Sequence, residues 1–303
     1  MTLDKIAQGS AGPVAFATLG GDTALATEVQ QRLTEAGLLE PPADGQFGPI
    51  SLWALGEFMA RIGTPAKSQL DKESARALLA PSVKTLFPLV LPPTLAGRLA
   101  AAVLAKGWWF CRHPGCVNIV YVEGMNPDGT ANEDKPNIFN DLRTVLQVDA
   151  DGAVQLVGSW QGTTEPGTYY SKIKVLDPNG AARIAFGQYK AWEVGMHPRN
   201  GANPHEALVQ VGPITVHRDL NQDFERTGDK TFTGLFGVNQ HWGFDLPESD
   251  IGNASAGCLV GRTKVGHREF MKAVKSDVRY IARPGFRFTT AVLAAADVPD
   301  SPA

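Results

Sequence analysis

Cys258 lies in IGNASAGCLVGR, residues 251–262, behind Ser255, Ala256 and Gly257 and ahead of Leu259. A structural cysteine needs only apolar neighbours. A nucleophilic one needs backbone N–H groups near its sulfur, a base within reach and room for a substrate. Small residues at 256 and 257 fit the second description, because they let a carbonyl oxygen approach the chain. The N–H groups of Gly257 and Cys258 are then candidates for an oxyanion hole, where one donor is typically worth about 3 kcal/mol. The base should be a histidine. Of the six histidines, His241 in FGVNQHWGFD combines a strand-like approach, a glycine at 243 and a position upstream of Cys258. That spacing is too long for neighbours on one helix and suits a strand, a loop and a return. A neighbouring imidazolium would lower the thiol from its usual pKa of about 8.5 by several units. His217, at the end of ITVH, is the nearest rival.

The bulk composition sets few limits. The chain has 303 residues, 43% hydrophobic and 19% charged, with a formal net charge of −3. These values are ordinary for a globular protein of one large or two smaller domains. No long basic run is present, which argues against nucleic acid as a partner. No apolar run reaches the ~18 residues of a membrane span. The 32 Gly and 21 Pro favour a strand-rich fold over a helix bundle. The N-terminus lacks a basic start followed by an apolar core, so no secretory signal is expected. Three cysteines make a disulfide framework unexpected; Cys111 and Cys116 could pair, but reduced thiols fit a protein made in the cytoplasm.

Along the chain, Leu25, Val29 and Leu33 mark one helical face, and Leu52, Leu55, Phe58, Met59 and Ile62 a second. Between them EPPADGQFG carries turn signals. VQQRLTEAGLL (29–39) and ADGQFGPISLWALGEFM (43–59) resemble the three-helix peptidoglycan-binding domain appended to many wall enzymes. Ser51 stands where that family has Thr, and keeps a hydroxyl for capping the last helix. This unit is expected over residues 1–65, followed by a helical linker over 66–106. From 107 the pattern turns to strands. VNIVYVE (117–123) is β-branched, and RTVLQVDADGAVQLVGSW (143–160) reads as a hairpin turning at DADG. HREFMKAVKSD has helical spacing, and residues 286–303 are read as a tail.

The stretch from about 117 to 275 resembles the L,D-transpeptidase (YkuD-like) catalytic domain. That family shows a His-Gly, a gap, then S-H-G-C followed by an apolar residue. Here His241-Trp242-Gly243 precedes Ser255-Ala256-Gly257-Cys258-Leu259. Upstream, GSWQGTTEPGTYY (158–170) matches a family stretch through Glu165-Pro166-Gly167-Thr168-Tyr169. The resemblance implies an α+β multidomain protein, with a small N-terminal three-helix bundle and a mostly-β catalytic domain over 107–285. It implies Cys258 as nucleophile and His241 as base; Ser255 is expected to orient the loop or to hydrogen-bond near His241, and Gly257 to lend its N–H to the oxyanion hole. It places Trp242, Gly243, Arg262 and Tyr169 at the substrate. Ala256 replaces the usual second His, and Val260 stands where Arg or Asn is common, with Arg262 the candidate to take that role. No metal or organic cofactor is implied.

Other constellations carry less. Asp219, Asn221 and Asp223 have calcium-loop spacing, but Phe224 stands where an EF-hand needs Gly. Cys111, His113 and Cys116 lack a fourth zinc ligand. His205-Glu206 in GANPHEALVQ reads as a loop pair, and KGWWF (106–110) as a packed aromatic cluster. The function expected is a lysin-like, cysteine-dependent peptidoglycan hydrolase working through a thioester. The alternatives are a cross-linking L,D-transpeptidase and a catalytically retired wall-binding protein. Lack of an export signal favours release to the wall or periplasm by a phage or contractile device.

Overall fold

The computed structural model describes residues 1–198 and 203–302. The first unit contains α1 (Leu3–Gln8), β1 (Val14–Ala15), α2 (Thr23–Glu35), α3 (Pro49–Arg61), β2 (Gln69–Leu70) and α4 (Lys72–Leu79). Side-chain caps start three of the helices: Thr2 accepts from Lys5 N, Asp22 from Leu25 N and Asp71 from Ser74 N. Leu25, Val29 and Leu33 are fully buried, as are Leu55, Phe58 and Met59. Leu52 instead faces solvent, 43% exposed.

The unit has four α-helices, three of them within residues 1–65, and a two-stranded ribbon. Leu70, Ala75, Leu78 and Phe87 join its core, so residues 69–87 pack into this unit instead of linking it to the next. Ser51 is also corrected. The last expected helix begins at Pro49, which puts Ser51 inside it, and its hydroxyl accepts from Gln30 Nε2 at 3.1 Å.

The larger part is α+β. It contains α5 (Leu95–Ala105), β3 (Asn118–Glu123), β4 (Asp141–Val148), β5 (Val154–Thr163), β6 (Ala181–Ile184), β7 (Gly187–His197), β8 (His205–Gln210), β9 (Ile214–Asp219), β10 (Lys230–Gly234), β11 (Gln240–Trp242), β12 (Leu259–Gly261), α6 (Lys264–Lys275), α7 (Val278–Ala282) and β13 (Phe288–Ala294). Eight strands close a mixed barrel in the order β11-β12-β5-β4-β3-β13-β7-β8, and β10-β9-β6 form a separate antiparallel sheet. At the β4–β5 turn, Asp149 accepts from the N–H groups of Asp151 and Ala153. β3 is apolar on both faces because both are covered. Val120 and Val122 lie under α5, while Ile119 and Tyr121 share a core with Phe270, Met271 and Val274 of α6.

Residues 286–303 are not a tail as a whole. Phe288–Ala294 is a barrel strand, parallel to β3 and antiparallel to β7, and its Val292 and Leu293 are fully buried. The alternation in FTTAVLA is short, and only pairing with two distant strands makes it a core element. Among the described residues no helix is long and apolar enough to cross a membrane.

Candidate functional site

Three sequence segments meet at one end of β11 and β12. These strands run parallel, with His241 opposite Val260 and Gln240 opposite Leu259. Leu259 N–H also donates to Asn239 O at 2.9 Å, so Asn239 lies beside Cys258. Side chains alternate along a strand, so Asn239, His241, Cys258 and Val260 share one face. The turn before Cys258 is held from within. Ser255 is fully buried; its Oγ accepts from Gly257 N–H (3.0 Å) and donates to Cys258 O (2.9 Å). Gly257 sits at φ +121°, and a Cβ there would lie 2.4 Å from Ala182 O of β6, so only glycine fits. The 163–170 segment docks on the same turn. Gly167 N–H donates to Ser255 O at 2.9 Å, and a Cβ on Gly167 would strike Gly252 O.

Asn137 joins these two segments. Its N–H donates to Glu165 Oε1 (2.7 Å), its Oδ1 accepts from Thr168 N–H (2.8 Å), and its Nδ2 donates to Asp250 Oδ1 (2.9 Å). Its carbonyl accepts from Ile251 N–H.

The thiol is buried. Cys258 is 9% exposed and packs with Phe139, Ile251, Ala254 and Val260. Its Sγ accepts from Asn239 N–H at 3.4 Å and donates to Gly237 O at 3.6 Å. Burial pushes the thiol up to about 11. His241 is buried too, and burial, reinforced by His197, holds its imidazole well below 6.5. The resting pair is thus a neutral thiol and a neutral imidazole, not the imidazolium-lowered thiolate expected from sequence. Among the described residues no hydrogen bond joins the two side chains.

Four imidazoles cluster here. His197 stacks on His241, with ring centroids 4.0 Å apart and planes at 15°. His205 lies 5.9 Å from His241 and 5.5 Å from His267. Burial lowers His197 to about 4 and His267 to about 3. The partners assign the tautomers, because an N–H can only donate and a carbonyl can only accept. His197 Nδ1 accepts from Asn239 Nδ2 (2.9 Å), His205 Nε2 from Trp242 N–H (3.3 Å), and His267 Nδ1 from Arg143 Nη1 (3.2 Å). His241 instead donates Nδ1–H to Trp242 O at 2.8 Å, and its Nε2 lone pair has no donor among the described residues. Within the cluster it alone keeps a basic nitrogen unused.

The other sequence candidates fall in several places. Gly257 N–H donates to Ser255 Oγ, and Cys258 N–H has no partner among the described residues. Gly243 is buried, and a Cβ there would touch Val260, Arg262 O and Phe139, so it packs the strand pair. Arg262 is tied to Gln161 Oε1 (2.5 Å) and Leu246 O (3.4 Å). Tyr169 stacks edge-on against Tyr170 at 5.0 Å. Trp242 is half-buried and lines a groove of about 880 Å³ with Met196, His205, His267 and Met271. His217 pairs with Arg183 across β9 and β6, on the face opposite Ala182, and so points away from Gly257.

His205 is not a loop residue: it opens β8 directly opposite His197. Gly201 and Ala202, which open the segment quoted for it, lie outside the described residues. Asp219 spends its carboxylate on the N–H groups of Asp223 and Phe224, and Asn221 donates to Asp223. His113 is held by Glu57 at 2.9 Å. Among the described residues no group of three or more His, Cys, Asp or Glu is arranged to hold a metal ion. In KGWWF, Phe110 is buried and Trp108 packs beside it under α5.

Sequence reasoning missed Asn137, Asn239, His197, His267 and Arg143. Asn239 was within reach of it, since a residue two before His241 on a strand shares its face. The others depend on long-range packing.

No family model matches this chain, and no curated protein matches it. Among solved structures, the chain is similar to a fused Zn-dependent amidase/peptidase/peptidoglycan-binding domain-containing protein from Clostridium acetobutylicum. The identity is 14%, over 88% of this chain and 94% of that one, with a TM-score of 0.27. A likeness this weak carries no argument about fold or activity.

Proposed function

We propose that this protein is a cysteine-dependent enzyme that acts on peptidoglycan stem peptides through an acyl-enzyme thioester, as a lysin-like hydrolase delivered to the cell wall. The observation that carries the reading is the free Nε2 lone pair of His241 on the strand face it shares with Cys258. Peptidoglycan as the substrate rests on the sequence resemblances alone.

In this mechanism Cys258 Sγ attacks the peptide carbonyl as its proton passes to His241 Nε2. Trp242 O, accepting from Nδ1–H, keeps the tautomer and steadies the imidazolium that forms. The developing oxyanion takes the N–H of Cys258, since that of Gly257 is already engaged. The C–N bond breaks, and the leaving amine takes the proton from His241. Water, deprotonated by the same nitrogen, then cleaves the thioester to an acid and returns the thiol. Ser255 acts as a positioning residue: it holds the turn through Gly257 N–H and Cys258 O.

Two other readings make different products. A transpeptidase would resolve the thioester with an amine. A retired site would form no thioester, and the buried thiol with no imidazole bonded to it is the feature that favours this reading. Incubation with purified sacculi, followed by mass analysis of the muropeptides and of the intact protein, separates all three. We expect an acyl adduct on the wild type, new stem-peptide carboxyl ends, and neither in Cys258→Ala. New cross-links would assign transpeptidation. No adduct and no change in the muropeptides would overturn the enzyme reading.

A further inference from the structure

We propose that the groove beside the imidazole cluster binds the carboxylate-bearing part of an acidic peptide and that α6 supplies the charge that recognises it. This deepens the reading of the site as a stem-peptide enzyme and rests on it for the identity of the peptide.

The groove holds about 880 Å³, within the ~300–1,000 Å³ usual for ligand sites. Its apolar surface comes from Met196, Met271 and Trp242, and its rim from α6. Lys264, Arg268, Lys272 and Lys275 recur at spacings of four, four and three residues, so they form one stripe along the helix. Lys275 is paired with Glu206 at 2.8 Å. Among the described residues Lys264, Arg268 and Lys272 have no carboxylate partner. A chain of net charge −3 has no general excess of cations to spread over its surface.

The helix dipole accounts for Lys272 and Lys275 in the last turn of α6 but opposes a cation at Lys264, its first residue. Lys264 Nζ lies instead over the Trp242 ring, 4.9 Å from its centre. The stripe thus begins at the tryptophan that follows His241. His205, on the groove wall, brings the groove within 5.9 Å of the His241 ring.

Stem peptides carry free side-chain and terminal carboxylates. A peptide laid in this groove would set those carboxylates against Lys264, Arg268 and Lys272 while its chain runs toward His241. Charge is then the main discriminator, and amidation of the carboxylates removes it.

The test uses full-length Cys258→Ala, so that binding is read without turnover. Titration calorimetry compares a soluble stem tetrapeptide having free carboxylates with the same peptide fully amidated. We expect at least tenfold tighter binding of the acidic form, and an affinity that falls as salt is raised. In Cys258→Ala carrying also Arg268→Glu and Lys272→Glu, both exposed positions, the preference should vanish. Circular dichroism of that variant checks that the fold is kept. Equal binding of the two peptides, no binding of either, or an unchanged preference in the charge-reversed variant would overturn the proposal. An acidic peptide that binds as expected, with no thioester in the wild type, would keep the groove and remove the enzyme. Thioester formation without charge preference would do the reverse.

Discussion

Burial pushes the Cys258 thiol up to about 11 and holds the His241 imidazole well below 6.5, so both shifts oppose proton transfer between them before any substrate arrives. The same burial causes both shifts, so Cys258 and His241 rest neutral. On the proposed mechanism, attack then requires proton transfer and S–C bond formation to proceed together, with Cys258 N–H receiving the new negative charge. His241 is then, on that mechanism, a base that acts during the reaction and stores no thiolate beforehand. We expect His241→Gln to slow single-turnover thioester formation by about two to four orders of magnitude at neutral pH. As solvent ionises the thiol, part of that loss should return toward pH 10. His217→Gln should match the wild type throughout, because His217 shares the Arg183 face of its sheet, away from the Cys258 turn. Mass analysis of quenched reactions reads the rate. A large defect with alkaline rescue in His217→Gln, and none in His241→Gln, would refute the dyad.

The imidazole cluster belongs to the elements that assemble it: the β7–β8 hairpin, β11 and α6. His267 illustrates the cost of holding an imidazole there. It donates to Glu206 O at 2.8 Å and accepts from Arg143, a fully buried cation whose guanidinium lies on the Phe270 ring. Burial and then Arg143 lower it from 6.5 to about 3. Below pH 6.5 the unfolded chain therefore binds a proton that the folded chain refuses, and the stability His267 contributes above that pH is lost as pH falls toward 3. Asp141 and Glu165, raised by burial to about 7 and about 8, act in the opposite sense. Their contribution is present at low pH and is lost as pH rises through those values. It cancels when two variants are compared at the same pH. The stability advantage of wild type over His267→Asn should thus shrink by about 2 kcal/mol between pH 7 and pH 5. Urea unfolding at the two values measures it, and a constant difference would contradict the buried neutral imidazole. The elements themselves were partly legible. The DADG hairpin and the small residues around Cys258 follow from local chemistry, which a sequence displays directly. The meeting of His197 with His205 depends on register across a hairpin, and that of His267 with His205 on where α6 packs; neither is written in local spacing. β13 was hidden for the same reason, since seven residues become a strand only between β3 and β7.

At the scale of the whole molecule, the first unit and the barrel share a buried charged seam. Glu40, 6% exposed, lies 3.3 Å from Arg279 and 3.4 Å from Lys190. Arg279, 2% exposed, also pairs with Asp277 at 2.7 Å, donates to Val117 O, and stacks on Phe286 with its guanidinium carbon 4.6 Å from the ring centre. Nearby, Arg112 N–H donates to Gly37 O, and His113 sits against Trp53 and Glu57. A flexible tether would leave such groups in water. Here Glu40 and Arg279 are buried, and separating the units while both stay folded would take Glu40 from Arg279 and Lys190 and undo the Arg112–Gly37 hydrogen bond. The two units should therefore melt in a single calorimetric transition. Arg279→Met keeps the stacking volume but leaves the carboxylates of Asp277 and Glu40 buried without their guanidinium, a change that typically costs about 3–5 kcal/mol. We expect that loss of stability, with the barrel and the first unit destabilised together, because the cation serves a carboxylate from each. Two separate transitions in the wild type would show that the seam does not couple the units. A loss below about 1 kcal/mol in Arg279→Met would show that Lys190 alone satisfies Glu40 and that Asp277 is held by its backbone contacts.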